Sequence, residues 1–300
     1  MIESVPNVSE GARLDVVAEL ADAVRVVPGV YLLDYSADPS HNRSVFTLAG
    51  SADAVCDALL SLFERALARI DLRRHRGVHP RLGAVDVVPF IPLGDASMAE
   101  CVEWSRAFGA TVSTRFGVPI YLYEESARHP GRRRLEDIRR GQFEGLADKM
   151  QQPGWAPDYG PAAPHDSAGA TVVGARRPLV AFNVNLDVAD VRIARDIASA
   201  VRERGGGLPC VKALGLALAH RGVAQVSMNL TDFTQTSVQQ AFDEVQRQAE
   251  RRGAGVLESE LIGLIPQAAL GATTPARLKL RNFSRSQILE ERIAALAAAG

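Results

Sequence analysis

Between Asp71 and Gly83 the chain reads Asp-Leu-Arg-Arg-His-Arg-Gly-Val-His-Pro-Arg-Leu-Gly, two histidines and four arginines in 13 residues. Imidazole is the side chain that exchanges a proton near neutral pH, and guanidinium grips a carboxylate through two parallel hydrogen bonds. Pro80 holds His79 toward an extended backbone rather than helix. The stretch therefore has the parts for proton transfer at His79 and for carboxylate recognition at Arg81. Surface histidines and solvated arginines are the alternative that spacing alone leaves open. His75 in this stretch and His165 further on are possible ligand contacts and no more.

A second set of candidates lies in alternating segments. In 179–186, Val180, Phe182, Val184 and Leu186 alternate with Asn183 and Asn185. In 224–231, Val226, Met228 and Leu230 alternate with Gln225, Ser227, Asn229 and Thr231. A strand sends successive side chains to opposite faces, so each set shares one face. Neither segment has Lys, Glu or Arg, so the polar face reads as a groove for a flat, polar ligand. A plain solvated sheet face is the competing reading. In the first half Asp34, Ser36, Asp38, His41, Asn42 and Arg43 form a comparable array around a hairpin. Two such sheets facing each other would enclose a cleft of the kind that holds small molecules.

The elements that must position these residues come twice in the same order. The first half predicts a strand at Ile2–Asn7, a helix carrying Leu14, Val17, Ala21 and Val24, strands at Val30–Ser36 and Arg43–Leu48, a helix over 52–70 and a strand at Ala84–Ile91. A capping box, Ser97 with Glu100, opens a further helix that ends near Gly117 before a strand at Val118–Tyr123. The second half predicts a strand at Leu179–Leu186, a helix capped by Asp187, strands at Val211–Ala219 and Ala224–Thr231 around a turn at His220–Gly222, a helix capped by Thr236 with Gln239, and a strand at Val256–Ile265. This β-α-β-β-α-β order, repeated, reads as α/β (α+β): two ferredoxin-like subdomains, helices outside, sheets facing a central cleft. Only the first copy has the long His- and Arg-bearing loop; the second crosses from helix to strand in about three residues after Arg252.

Gln151–Arg177 is rich in Pro and Gly, without helical period, and is read as a structureless linker, lid or binding loop carrying Trp155 and Tyr159. It divides the chain into 1–177 and 178–300. Lys plus Arg total 34 against 35 Asp plus Glu, a net charge of −1, which argues against a nucleic-acid or membrane-surface binder. Cys56, Cys101 and Cys210 are too scattered for a disulfide framework or zinc site. No leader-like segment or membrane-length apolar run occurs, so a cytoplasmic protein without metal is expected. Gly205–Gly207 and Gly253–Gly255 follow helices and act as stop signals, not phosphate loops.

The sequence resembles the formiminotransferase family, nearly end to end. The resemblance is carried most strongly by 78–92 (Val-His-Pro-Arg-Leu-Gly-Ala-Val-Asp-Val-Val-Pro-Phe-Ile-Pro), and also by 5–11, 41–45, 118–123, 155–161, 169–176, 182–186 and 226–233. It implies transfer of a formimino group between N-formimino-L-glutamate and tetrahydrofolate, in histidine degradation and one-carbon metabolism, by a cytoplasmic homodimer. The family's catalytic histidine falls on His79, an assisting carboxylate on Asp232, and its folate loop on Gly160 to Gly169, including Pro161, Ala162 and Ala163. Asn7, Arg43, Arg81, Asn183, Asn185 and Asn229 are the expected substrate and folate contacts. A second family carboxylate falls on Ser36, with Asp34 and Asp38 beside it. About 35 residues follow the second unit, so no cyclodeaminase domain is expected. Formyl transfer and non-catalytic folate binding are the other readings. An RNA-binding sheet would expose stacking aromatics and a basic face, and these strands expose Asn and Ser.

Overall fold

The computed structural model describes all residues except Ala219, His220 and Gly300. The chain divides into two compact units, Met1–Arg176 and Arg177–Gly300. Unit 1 begins with one interrupted inner strand, β1 (Ile2–Ser4) and β2 (Asn7–Val8), with Pro6 in the break. There follow α1 (Leu14–Arg25), β3 (Val30–Asp38), β4 (Arg43–Gly50), α2 (Ala52–Arg69) and β5 (Val85–Pro92). Then come α3 (Met98–Phe116), β6 (Ile120–Leu122), α4 (Leu135–Arg139), α5 (Leu146–Met150) and β7 (Thr171–Ala175).

One sheet runs β3, β4, β1 with β2, β5, β7, β6. The first pairs are antiparallel, and β7 joins β5 and β6 in parallel. Val55, Ala58, Leu59, Leu62, Phe63 and Ala66 of α2 recur at helical spacing and are all buried in the first core. The expected capping box at Ser97 and Glu100 is present, and Gly117 closes α3 in the left-handed conformation.

The strand β7 corrects the sequence reading of 151–177 as structureless. Thr171-Val172-Val173 is a short β-branched run, every residue of β7 is buried, and its two neighbours complete its hydrogen bonds. A run this short has no period to read.

Unit 2 contains β8 (Val180–Leu186), α6 (Val191–Val201), β9 (Val211–Leu218), β10 (Val223–Leu230), α7 (Val238–Glu250), β11 (Val256–Ile262), α8 (Gln267–Leu270) and α9 (Leu289–Ala299). Its antiparallel sheet runs β11, β8, β10, β9. Val180, Phe182, Val184 and Leu186 face a core completed by Val226, Met228, Leu230 and Phe242, as the alternation requires. Ala219 and His220, expected at a strand end and turn, lie outside the described residues. Two caps move. Asp190, not Asp187, caps α6, and Ser237 with Gln240, not Thr236 with Gln239, forms the box of α7. Asp187 instead accepts the Gly255 amide at 2.7 Å, and the Thr236 hydroxyl donates to the Pro209 carbonyl. No described helix is long and apolar enough to cross a membrane.

Candidate active site

The loop between α2 and β5 is held against the β3–β4 hairpin. His75 Nε2 donates to the Asn42 carbonyl at 2.9 Å, the Asn42 side chain donates to the Arg76 carbonyl at 2.8 Å, and the Val78 amide reaches Ser40 O. Gly77 is required there, since a Cβ would sit 2.3 Å from the His41 carbonyl oxygen. Asn42 adopts φ +48°, and its Oδ1 accepts the amides of Gly11 and Ala12. One asparagine in the left-handed region thus ties three segments together: 9–12, the hairpin and the loop.

This docking delivers His79 to the start of β4. Arg43 Nη1 donates to His79 Nε2 at 2.8 Å and to Asn7 Oδ1 at 3.0 Å. Guanidinium has only donors, so Nε2 is the acceptor and the neutral ring carries its proton on Nδ1. Burial, then the charges of Arg43 and Arg139, hold the His79 imidazole neutral, with its pKa brought down to about 3. The ring of His41 meets it edge-on at 6.0 Å between centroids, and His41 Nδ1 pairs with Asp38 at 2.5 Å. Asp38, beside Ser36, is therefore the carboxylate that approaches this cluster through His41.

The loop's far end is fixed by a buried carboxylate that sequence reasoning missed. Asp86 Oδ1 accepts the Leu82 amide at 2.6 Å and the Gly83 amide at 3.2 Å, and Oδ2 pairs with Arg139. Asp86 is 1% exposed. The signal was present: a lone acid inside the apolar run Ala84-Val85-Asp86-Val87-Val88 must have a partner.

Arg81, expected to take a substrate carboxylate, already holds Glu144 through two hydrogen bonds of 3.0 and 2.7 Å. Its Nε also donates to His75 Nδ1 at 3.1 Å, which fixes the His75 tautomer with the proton on Nε2. Burial, in spite of the Asn42 bond, lowers the His75 pKa. Both groups act in the support of the loop, and both border a cavity of about 620 Å³ with Arg73, Arg76 and Phe143. His79 does not line this cavity.

The expected folate loop lies against the same support. Gly169, at φ +67°, exchanges backbone hydrogen bonds with His165, and the Ala170 amide donates to Leu82 O. A Cβ at Gly169 would lie 2.0 Å from the Leu82 oxygen, so only glycine fits. Gly160, Pro161, Ala162 and Ala163 are exposed. Unit 1 thus brings together Asn7, Arg43 and His79, and places Gly169 against the chain two residues beyond Arg81.

In unit 2 the polar face of the sheet is not uncharged. The β11 strand adds Glu258 and Glu260 opposite Asn185 and Asn183, and Arg221 pairs with both glutamates at 2.6 and 3.1 Å. Asn185 is fully buried, donating to both glutamates and accepting from Gln225 at 2.8 Å. All of its amide is engaged within the sheet. Asn183 borders a cavity of about 580 Å³ with Arg221, Gln225, Glu260 and Arg281, and Asn229 is exposed. The expectation of an uncharged face considered two strands, and the charge arrives on the third. Asp232 is largely buried; burial resists its ionisation, but hydrogen bonds from Thr234 and Gln235, with Arg177 at 3.3 Å, outweigh this and keep its pKa low. Among the described residues no cluster of His, Cys, Asp and Glu could hold a metal ion.

Comparison with known proteins agrees over the whole length. The pattern of the formiminotransferase domain, N-terminal subdomain, matches residues 1–176, and that of the formiminotransferase domain matches 181–298. The chain is 45% identical over 294 residues to the glutamate formimidoyltransferase of Streptococcus pyogenes serotype M1, covering 98% of each. It is 41% identical to the glutamate formimidoyltransferase of Thermoplasma acidophilum, over 98% of this chain and 97% of that one. It is 44% identical to the formimidoyltransferase-cyclodeaminase of Sus scrofa, spanning 90% of this chain and 51% of that longer protein. On both family patterns and these identities, the chain belongs to the formiminotransferase family.

Proposed function

We propose that this enzyme moves the formimino group of N-formimino-L-glutamate to N5 of tetrahydrofolate, a step of histidine degradation that feeds one-carbon metabolism. N5 attacks the formimino carbon, a bond forms, and the tetrahedral carbon then releases the glutamate α-nitrogen. N5 must lose a proton and the departing nitrogen must gain one. His79 takes the first and returns the second, ending in its starting state, a contribution of about 10²–10⁴-fold. The observation that carries the reading is His79 itself: a half-buried, neutral imidazole in contact with a guanidinium beside Asn7.

Arg43 and Asn7 take the substrate's carboxylate and polar groups in this reading, and the family resemblance adds the folate loop Gly160–Gly169, Asn183 and Asn229. Arg81 and Asn185 support the site rather than touch substrate, because their polar atoms are already used. Asp232, ionised, is proposed to balance the cationic tetrahedral carbon. We also read each unit as a ferredoxin-like subdomain, 1–177 and 178–300, with the folate loop Gly160–Gly169 ahead of β7. The strand orders of the two sheets support the subdomain reading. A cytoplasmic homodimer is part of the same proposal.

The test is turnover of N-formimino-L-glutamate with tetrahydrofolate by wild-type and His79→Ala protein. No transfer by the wild type refutes the reaction. Transfer by His79→Ala within about tenfold of wild type refutes His79 as proton carrier.

A further inference from the structure

Arg43 occupies the lone pair that proton transfer needs. Its Nη1 sits 2.8 Å from His79 Nε2, and a base whose lone pair already accepts a hydrogen bond takes no proton from an amine. Its own surroundings are unusual. Within unit 1, Arg13, Arg69, Arg81, Arg132 and Arg139 each hold a carboxylate: Glu10, Glu19, Glu144, Asp158 and Asp86. The Arg43 side chain hydrogen-bonds only the neutral Asn7 and His79 among the described residues; burial lowers its pKa, with Asp86 and Asp38 opposing this from beyond hydrogen-bond reach. A partly buried guanidinium with no carboxylate in direct contact has room for an anion.

We infer that Arg43 is a substrate-operated catch: a carboxylate of the glutamate substrate draws its guanidinium off Nε2, and the base is released only when substrate is bound. The inference rests on the formiminotransferase reading for its trigger. The exchange is favoured because a carboxylate offers the guanidinium two parallel bonds to an opposite charge, whereas the imidazole offers one bond to a neutral acceptor. The groups facing the imidazole are Arg43 from β4, Arg139 from α4, Asp86 from β5 and His41, paired with Asp38, from the hairpin. Of these two guanidiniums Arg139 is tied to Asp86, whereas Arg43 has no carboxylate in salt-bridge contact among the described residues. A ligand carboxylate therefore changes the charge at this one point. The catch also reconciles a strongly weakened base with a proton-transfer role, which favours a base titrating near the working pH.

The experiment is nitrogen NMR of the full chain with labelled histidine, from about pH 4 to about pH 9, with and without L-glutamate and with no folate present. His79→Gln assigns the signal. In the free protein His79 stays neutral throughout, with Nε2 as acceptor. With saturating L-glutamate its midpoint rises at least one unit, tenfold in proton affinity. Arg43→Gln shows a raised midpoint without ligand and no response to L-glutamate. Arg43→Lys, which loses the planar fork, gives a smaller response and serves if Arg43→Gln does not fold; the wild-type titration needs neither. An unchanged His79 midpoint overturns the inference, whether calorimetry finds L-glutamate bound or not. Failure of the parent reading registers separately, as absent formimino transfer by the wild-type enzyme.

Discussion

The two units repeat one strand order and differ where the second helix hands over to its last shared strand. In unit 1 the passage from α2 to β5 covers Ile70–Ala84; in unit 2 the passage from α7 to β11 covers Arg251–Gly255. Hydrophobic alternation fixes the strands in both, but connections are free to lengthen without disturbing the core. The longer passage holds His79, whose ring meets Arg43 of β4, a guanidinium with no carboxylate in salt-bridge contact among the described residues. On the polar face of the second sheet Arg221 and Arg281 are instead paired with Glu258 and Glu260. A closed network of this kind stabilises a surface, whereas an open one leaves a place for a ligand.

The largest effect that could break this comparison is on turnover. His79→Ala should lower kcat by about 10²–10⁴-fold, with the urea midpoint near wild type, while Glu260→Ala in unit 2 should leave kcat within about threefold. Comparable losses in both variants would place the chemistry elsewhere.

Next comes stability. Asp86→Ala strands Arg139 and two backbone amides, and should cost about 3–5 kcal/mol in urea unfolding. Arg81→Met should cost less, about 1–2 kcal/mol, because Glu144 is 63% exposed and regains water. The same Arg81→Met should leave KM for N-formimino-L-glutamate within about twofold, whereas Arg43→Met should raise it by about tenfold or more, the worth of a charged hydrogen bond. Steady-state kinetics on the two variants sharpens which arginine meets substrate.

The smallest effect is a slope. His79 is neutral when folded down to a pKa of about 3 and takes a proton near its usual 6.5 when unfolded. Between those values the unfolded chain binds the extra proton, so this contribution is present above pH 6.5 and is lost as pH falls toward 3. His79→Gln should flatten the rise in unfolding free energy across that window, by at most about 1.4 kcal/mol per pH unit. An identical slope in the variant would mean that the imidazole is not held neutral.

Much of this was legible in the chain. The doubled order of elements, the apolar faces of β8 and β10, the Ser97 box and the importance of 71–83 all follow from local periodicity and turn chemistry. The caps of α6 and α7 were each misplaced by one to three residues, because Asp187 and Thr236 are cap-type residues that the fold uses for longer-range bonds. The strand β7 was missed because five buried residues among glycines and prolines carry no period. In the site, His79, Arg43 and Asn7 were each nominated from the sequence, but nothing local says that they touch.

What the sequence by itself determined is therefore which segments are helices and strands and which loop carries ionisable groups, since these depend on neighbours within a few residues. Only the tertiary structure decided who is paired. Arg81 meets Glu144 across 63 positions and Asp86 meets Arg139 across 53, while Arg43 reaches His79 across 36 with no carboxylate in salt-bridge contact among the described residues. Two arginines of equal standing in the sequence become a strut and a catch because buried charge needs a partner, and only folding settles which of them receives one.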